Sequence, residues 1–160
     1  MALRKIRRHG DEILTKKGKP VKLFDKHLHT LLDDMLDTLR AYDGLGLAAP
    51  QVGLLRRIVV IELDDTVYEL INPVIVASSG SEIKTEACLS IPGLQGDVER
   101  PANITVEALD RHGKPFTMEA DSILATAVCH EIDHLEGILF IDRAVSIFDR
   151  LPEDEEDEAV

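Results

Sequence analysis

Cysteine is scarce: Cys88 and Cys129 are the only two in 160 residues. That excludes the disulfide framework of small secreted domains and makes a reducing cytoplasm the expected compartment. No apolar run approaches the ~20 residues that a membrane helix needs, so no span is expected. The opening twelve residues, MALRKIRRHGDE, are basic but lack the apolar stretch of a signal peptide, and acids arrive at Asp11 and Glu12, early for a mitochondrial presequence. The chain reads as mature and soluble. Positive charge is outnumbered, 18 Lys and Arg against 30 Asp and Glu, for a net −12. Such a surface repels nucleic-acid backbones, and no direct nucleic-acid binding is expected. There is no internal repeat and no linker.

What is present, 44% apolar and 30% charged residues, suits one globular domain large enough to bury a core and excludes collagen, a long coiled coil and wholesale disorder. Charge is unevenly spread. Residues 1–26 hold nine basic and three acidic side chains, while 151–160 hold six acidic and no basic ones. Residues 1–150 are read as a single domain and 151–160 as an acidic, mobile tail.

In residues 27–42, Leu28, Leu31, Leu32, Met35, Leu36, Leu39 and Tyr42 recur at steps of three and four, which predicts an amphipathic helix. It stops at Asp43-Gly44. The following Gly44-Leu45-Gly46-Leu47-Ala48-Ala49-Pro50-Gln51 predicts a tight loop with a short extended piece. Residues 57–62 and 67–71, rich in β-branched side chains, predict a hairpin around Asp64-Asp65-Thr66. Further strands are expected at 74–77, 81–85, 104–109 and 116–119, the last two joined by a turn at 110–114. Asp121 is placed to cap a second helix that ends near Gly137, and a third short helix is expected after Arg143.

The second helix carries His130-Glu131-Ile132-Asp133-His134, an HExxH pattern. Two imidazoles four residues apart stack on one helix face and can bind one transition metal, while the intervening carboxylate can serve as general base. A third ligand is needed. The run matches the metzincin spacing up to Gly137 and then places Phe140 where a third His would stand, and phenylalanine cannot ligate. Glu153 would supply a thermolysin-like ligand from a poorly anchored tail. Cys88, at the end of a strand and before a Pro-Gly turn, is the other candidate; with two His it would leave a fourth position open, as catalytic sites do. Cys129 points about 100° away from His130 on the helix and is read as core. Residues 44–49 also satisfy a G-x-G-x-x-A dinucleotide pattern, with Asp64 and Asp65 near the acidic position, but they follow a helix and run into Pro50. Glycine there better serves close backbone approach to an extended peptide.

Residues 44–51, 86–90 and 130–134 together resemble the three signature motifs of the peptide deformylase family, in the same order and with similar separations. The resemblance extends from Lys19-Pro20-Val21 through Leu32-Asp33-Asp34-Met35 and Ile71-Asn72-Pro73 to Leu139-Phe140-Ile141-Asp142. It implies an α+β fold with mixed, mostly antiparallel sheets around a central HExxH helix, residues 122–136, and the other long helix outside. It implies that Cys88, His130 and His134 bind one divalent metal ion, Fe2+ in cells and Zn2+, Ni2+ or Co2+ in preparations. The implied reaction is hydrolysis of the N-formyl group from N-formylmethionyl nascent polypeptides, releasing formate. Glu131 would take and return the proton, and the Gln51 amide and the Leu89 backbone N–H would meet the charge on the formyl oxygen. A carboxylate in place of Gln51 would repel that oxygen. Substrate backbone would pair at Gly44, Gly46, Glu86 and Ala87, and Leu45, Ile123, Thr126 and Ala127 would line the methionine pocket. Glu86 is expected to hydrogen-bond a ligating imidazole, with Arg100 balancing its charge.

This sequence departs from the family pattern at several positions. Ala87 stands where Gly is usual, Cys129 where Gln is common before the first His, and Thr126 where an aliphatic residue is expected. The basic C-terminal helix by which longer bacterial members dock on the ribosome is replaced by acids, so docking by that route is not expected; ribosome contact stays open through the basic stretch 4–26, for which ordinary solvated surface is the favoured reading. Two other classes stay open on the residues alone: a zincin-like metallopeptidase, and a noncatalytic metal-binding or dinucleotide-binding module.

Overall fold

The computed structural model describes residues 2–150. The acidic stretch 151–160, and with it Glu153, lies outside the described residues. Two long helices, α1 (Lys26–Ala41) and α2 (Ser122–Leu135), accompany a five-stranded sheet of β1 (Gly46–Ala48), β2 (Ile58–Leu63), β3 (Thr66–Ser79), β6 (Asn103–Leu109) and β7 (Pro115–Asp121). A second sheet has the order β4 (Glu82–Cys88), β5 (Ile91–Arg100), β8 (Ser146–Asp149), and a single turn of helix, α3 (Phe140–Arg143), precedes β8. Every ladder is antiparallel; among the described residues the mixed character is confined to an isolated parallel bridge between Lys19 and Arg56.

Strand β2 shows how the layers form. Successive side chains point to opposite faces of a sheet, so Ile58 and Val60 join the apolar cluster with Leu28, Leu32, Met35 and Leu39 of α1, while Val59 and Ile61 join Ala125, Ala127 and Val128 of α2. Both faces of this strand are buried, and its sequence is accordingly apolar without alternation. The four α1 side chains are fully buried, each contributing roughly 1.5–3 kcal/mol. Asp25 begins that helix by accepting from Leu28 N–H at 3.1 Å. Helix α2 is buried on most of its circumference, because it packs against strands of both sheets.

Several sequence expectations are corrected. The strands expected at 67–71 and 74–77 are one strand, β3, which crosses Asn72-Pro73 through a register shift. Asn72 takes φ 52° there and uses its side-chain amide on Val21 N–H and C=O. Strand β5 spans the expected Pro-Gly turn, since pairing with β4 on one side and β8 on the other overrides the local breakers. The short helix expected after Arg143 is instead β8; helical backbone ends at Arg143. Asp121 occupies the N-cap position of α2 but makes no side-chain cap hydrogen bond. The Asp64-Asp65 hairpin is as expected, with both residues at positive φ in the manner of a type I′ turn.

The segment before α1 is a strap over the whole domain. Its backbone N–H groups donate from Arg4 to Thr38 Oγ1, from Arg7 to Gln51 C=O, from His9 to Ser90 C=O, and from Gly18 to Leu135 C=O. The strap thereby ties α1, the 3-10 turn Ala49–Val52, the β4–β5 turn and the end of α2.

Candidate metal and catalytic site

Two elements bring the candidate metal ligands together. Cys88 is the last residue of β4, and His130 and His134 lie one turn apart on α2. One ligand atom from each lies within 4.8 Å of the others, and all three residues are buried. Cys88 Sγ is 3.3 Å from His134 Nε2. Nε2 of His130, Nδ1 of His134 and both carboxylate oxygens of Glu131 are buried without a hydrogen-bond partner. Orphaned buried polar atoms in such a cluster are costly unless something fills the gap. A thiolate and two imidazoles match the donor set that suits Fe, Co, Ni or Zn, so the residues fit a single cation with a position left open.

The surroundings hold the candidate ligands in place. Glu86, at 0% exposure, stands 2.9 Å from Nδ1 of His130. That contact assigns the Nδ1 proton and leaves Nε2 as the lone-pair nitrogen facing the cluster. Arg100 holds Glu86 through Nε and Nη2, both at 2.9 Å. Burial works against the ionised Glu86, but hydrogen bonds from Arg100 and His130 outweigh it and hold its carboxyl below the usual range. Burial pushes Glu131 up to about 7, where a carboxyl can both take and release a proton near neutrality. Burial also lowers the basicity of His134. The expected core role of Cys129 is met: it packs in the α2 cluster, and burial raises its thiol to about 11. Phe140 stacks against the His130 ring, centroids 6.1 Å apart.

The glycine-rich segment lies beside both other motifs. A methyl on Gly44 would come within 2.7 Å of Leu89 Cδ1, and one on Gly46 within 2.6 Å of Glu131 Oε2. Gln51 sits in the 3-10 turn, its Oε1 accepting from Ala48 N–H at 2.9 Å and its Nε2 donating to Ser90 Oγ at 3.1 Å and Cys88 Sγ at 3.6 Å. Leu89 and Ser90 form the β4–β5 turn. This segment follows α1 and opens no α-helix, so the context required of a dinucleotide loop is missing. Among the pocket candidates, Leu45, Thr126 and Ala127 are buried, while Ile123 is 50% exposed.

The sequence profile of the family described as Polypeptide deformylase matches residues 3–149. The chain belongs to the polypeptide deformylase family. A peptide deformylase of Acetivibrio thermocellus is 55% identical over 149 residues, covering 93% of this chain and 88% of that protein. The crystal structure of the Legionella pneumophila peptide deformylase superposes with a TM-score of 0.87 at 46% identity, covering 89% of this chain and 86% of that one. The Thermotoga maritima peptide deformylase superposes with a TM-score of 0.89 at 37% identity, covering 91% and 100%. Deformylases are metallohydrolases that remove N-formyl groups from nascent polypeptides, and the Cys88, His130 and His134 cluster accords with one metal ion per deformylase chain. No helix among the described residues is long and apolar enough to cross a membrane.

Sequence reasoning missed two residues at this site. Ser90 closes the 86–90 motif, but that it accepts from the Gln51 amide is shown only by the fold. Asp133 sits inside the HExxH run, three residues after His130, and its charge on that same helix turn was the available clue.

Proposed function

We propose that Cys88, His130 and His134 hold the metal ion of this deformylase, a ferrous ion in cells, with zinc, nickel or cobalt able to replace it in preparations. The reading is supported above all by the three ligand atoms converging within 4.8 Å beside the partnerless carboxylate of Glu131. When bound, the metal would act as a Lewis acid, lowering the pKa of water and polarising the formyl oxygen.

The remaining steps belong to side chains. Glu131 accepts the proton of the attacking water, and the carboxyl, displaced to about 7 by burial, can then pass it to the leaving amine. Formate and a free amino terminus result. The Gln51 amide and the Leu89 backbone N–H meet the charge that develops on the formyl oxygen. Strands β1 and β4 each sit at a sheet edge, β1 beside Glu131 and β4 beside His130. An extended peptide fits between them as an added strand, pairing with Gly44, Gly46, Glu86 and Ala87 through backbone groups. The methionine side chain would then enter a pocket of Leu45, Ile123, Thr126 and Ala127. A substrate class made of nascent chains supports a cytoplasmic location.

The test is formate release from formyl-Met-Ala by iron-loaded protein kept from oxygen. Cys88→Ala should lose both metal and turnover, while a chain cut after Arg150 keeps both. A peptidase ligated by Glu153 predicts the reverse, and that result would overturn the reading.

A further inference from the structure

His130, Glu86, Arg100, Asp133 and Arg143 form one hydrogen-bonded series from the metal centre to the surface. Its first two links, His130–Glu86 and Glu86–Arg100, are described above. Arg100 spends Nε and Nη2 on Glu86, and its remaining Nη1 turns the other way, 2.5 Å from Asp133 Oδ2. Arg143, the last residue of α3, closes on the same carboxylate, with Nε 2.7 Å from Oδ2 and Nη2 3.2 Å from Oδ1. Glu86, Arg100 and Asp133 are buried, whereas the Arg143 side chain is 48% exposed.

Two carboxylates and two guanidiniums balance. Without Arg143, Asp133 would keep only a single hydrogen bond from a guanidinium already committed to Glu86. That guanidinium is a planar fork with fixed donor directions, so turning it toward Asp133 loosens its grip on Glu86. Glu86 in turn sets the orientation of the His130 ring and the tautomer that leaves Nε2 free. Asp133 and His130 share one turn of α2, so the disturbance arises beside the ligand it affects.

We propose that Arg143 is a positioning residue of the metal centre: by offsetting Asp133 it leaves Arg100 to hold Glu86 with two donors, and so aims His130. This inference rests on the metal-ligand reading above. The competing account makes Arg143 only a clamp of α3 onto α2, and charge balance separates the two. A clamp is lost equally whether one or both of its partners are changed. An offset is needed only while the Asp133 charge is present.

The experiment titrates metal-free protein with Co2+ against a chelator, reading the dissociation constant and the cobalt absorption bands, with thermal unfolding followed in parallel. Arg143→Met should weaken cobalt binding about tenfold and change the bands. Arg143→Lys and the double variant Asp133→Asn with Arg143→Met should both return to near the parent values. If Arg143→Met fails to fold, restoration in the double variant still supports the offset. Parent-like affinity and bands in Arg143→Met, or a double variant no better than the single one, overturns it. Cys88→Ala in the same titration keeps the underlying reading separate. Cobalt held as tightly by that variant as by the parent would refute the ligand assignment, whereas cobalt lost there but kept by Arg143→Met refutes only the role of Arg143.

Discussion

Gly46 and Glu131 touch where no side chain fits between them. A methyl on Gly46 would stand 2.6 Å from Oε2 of Glu131 and 3.0 Å from its Cγ and Cδ. The constraint is one of space, because Gly46 is not among the residues with positive φ. Gly46→Ala should therefore displace the carboxylate while sparing the metal ligands. Turnover is expected to fall on the order of 100-fold, as misplacing a reacting group by about 1 Å does. Metal content should stay at the parent level. Steady-state assays with formyl-Met-Ala, paired with metal analysis, check this; parent-level kcat would contradict it.

The metal-free protein should show an unusual response to pH. Burial raises the folded carboxyl of Glu131 from 4.5 to about 7. The folded state thus holds this proton more tightly than the unfolded chain. Its contribution to stability is complete below pH 4.5 and disappears as pH rises through about 7. Glu131→Gln, which cannot ionise, should gain on the parent in urea midpoint between pH 5.5 and 8. Parallel midpoints across that range would refute the shift.

Arg100 is 5% exposed and bridges two buried carboxylates. Replacing it with Met leaves both acids short of a partner, which should cost about 3–5 kcal/mol. Adding Glu86→Gln should recover part of that loss, since one stranded charge disappears. Denaturant unfolding of the single and double variants measures both effects, and an unchanged midpoint in Arg100→Met would count against the network.

Gly137 follows α2 at φ 74°, and a methyl there would lie 2.5 Å from the carbonyl oxygen of Thr15. Strain and collision act together, so Gly137→Ala should destabilise by more than ~1 kcal/mol. Thermal unfolding should register the loss, and limited proteolysis should begin within residues 10–18, where the strap is levered off.

The chemistry was more legible than the sheets. HExxH sets two imidazoles on one helix face by geometry alone, and the amphipathic spacing at 27–42 foretells α1 to within a residue at each end. A thiol 42 residues before His130 has no such local rule; the residues alone leave Cys88 and Glu153 both open, the family resemblance favours Cys88, and the fold brings that thiol beside the two imidazoles. Strand β5 carries Pro92, Gly93 and Gly96, all signals against a strand, and exists because β4 and β8 pair with it. Strand β8 consists of four exposed residues whose extended backbone is likewise imposed from outside. Arg143 escaped for the same reason: nothing in its neighbourhood marks the ten-residue reach to Asp133.

The strap also bears on the order of assembly. Residues 4–18 are synthesised before their distant acceptors exist: Arg7 awaits Gln51, His9 awaits Ser90, and Gly18 awaits Leu135. Contacts so far apart in sequence close slowly. This earlier-made segment is thus expected to be among the last to lock, and until it does, the turns bearing Gln51 and Ser90 lack these backbone anchors. Newly made copies should acquire hydrogen-exchange protection at Arg7 and His9 in the same phase that brings full activity.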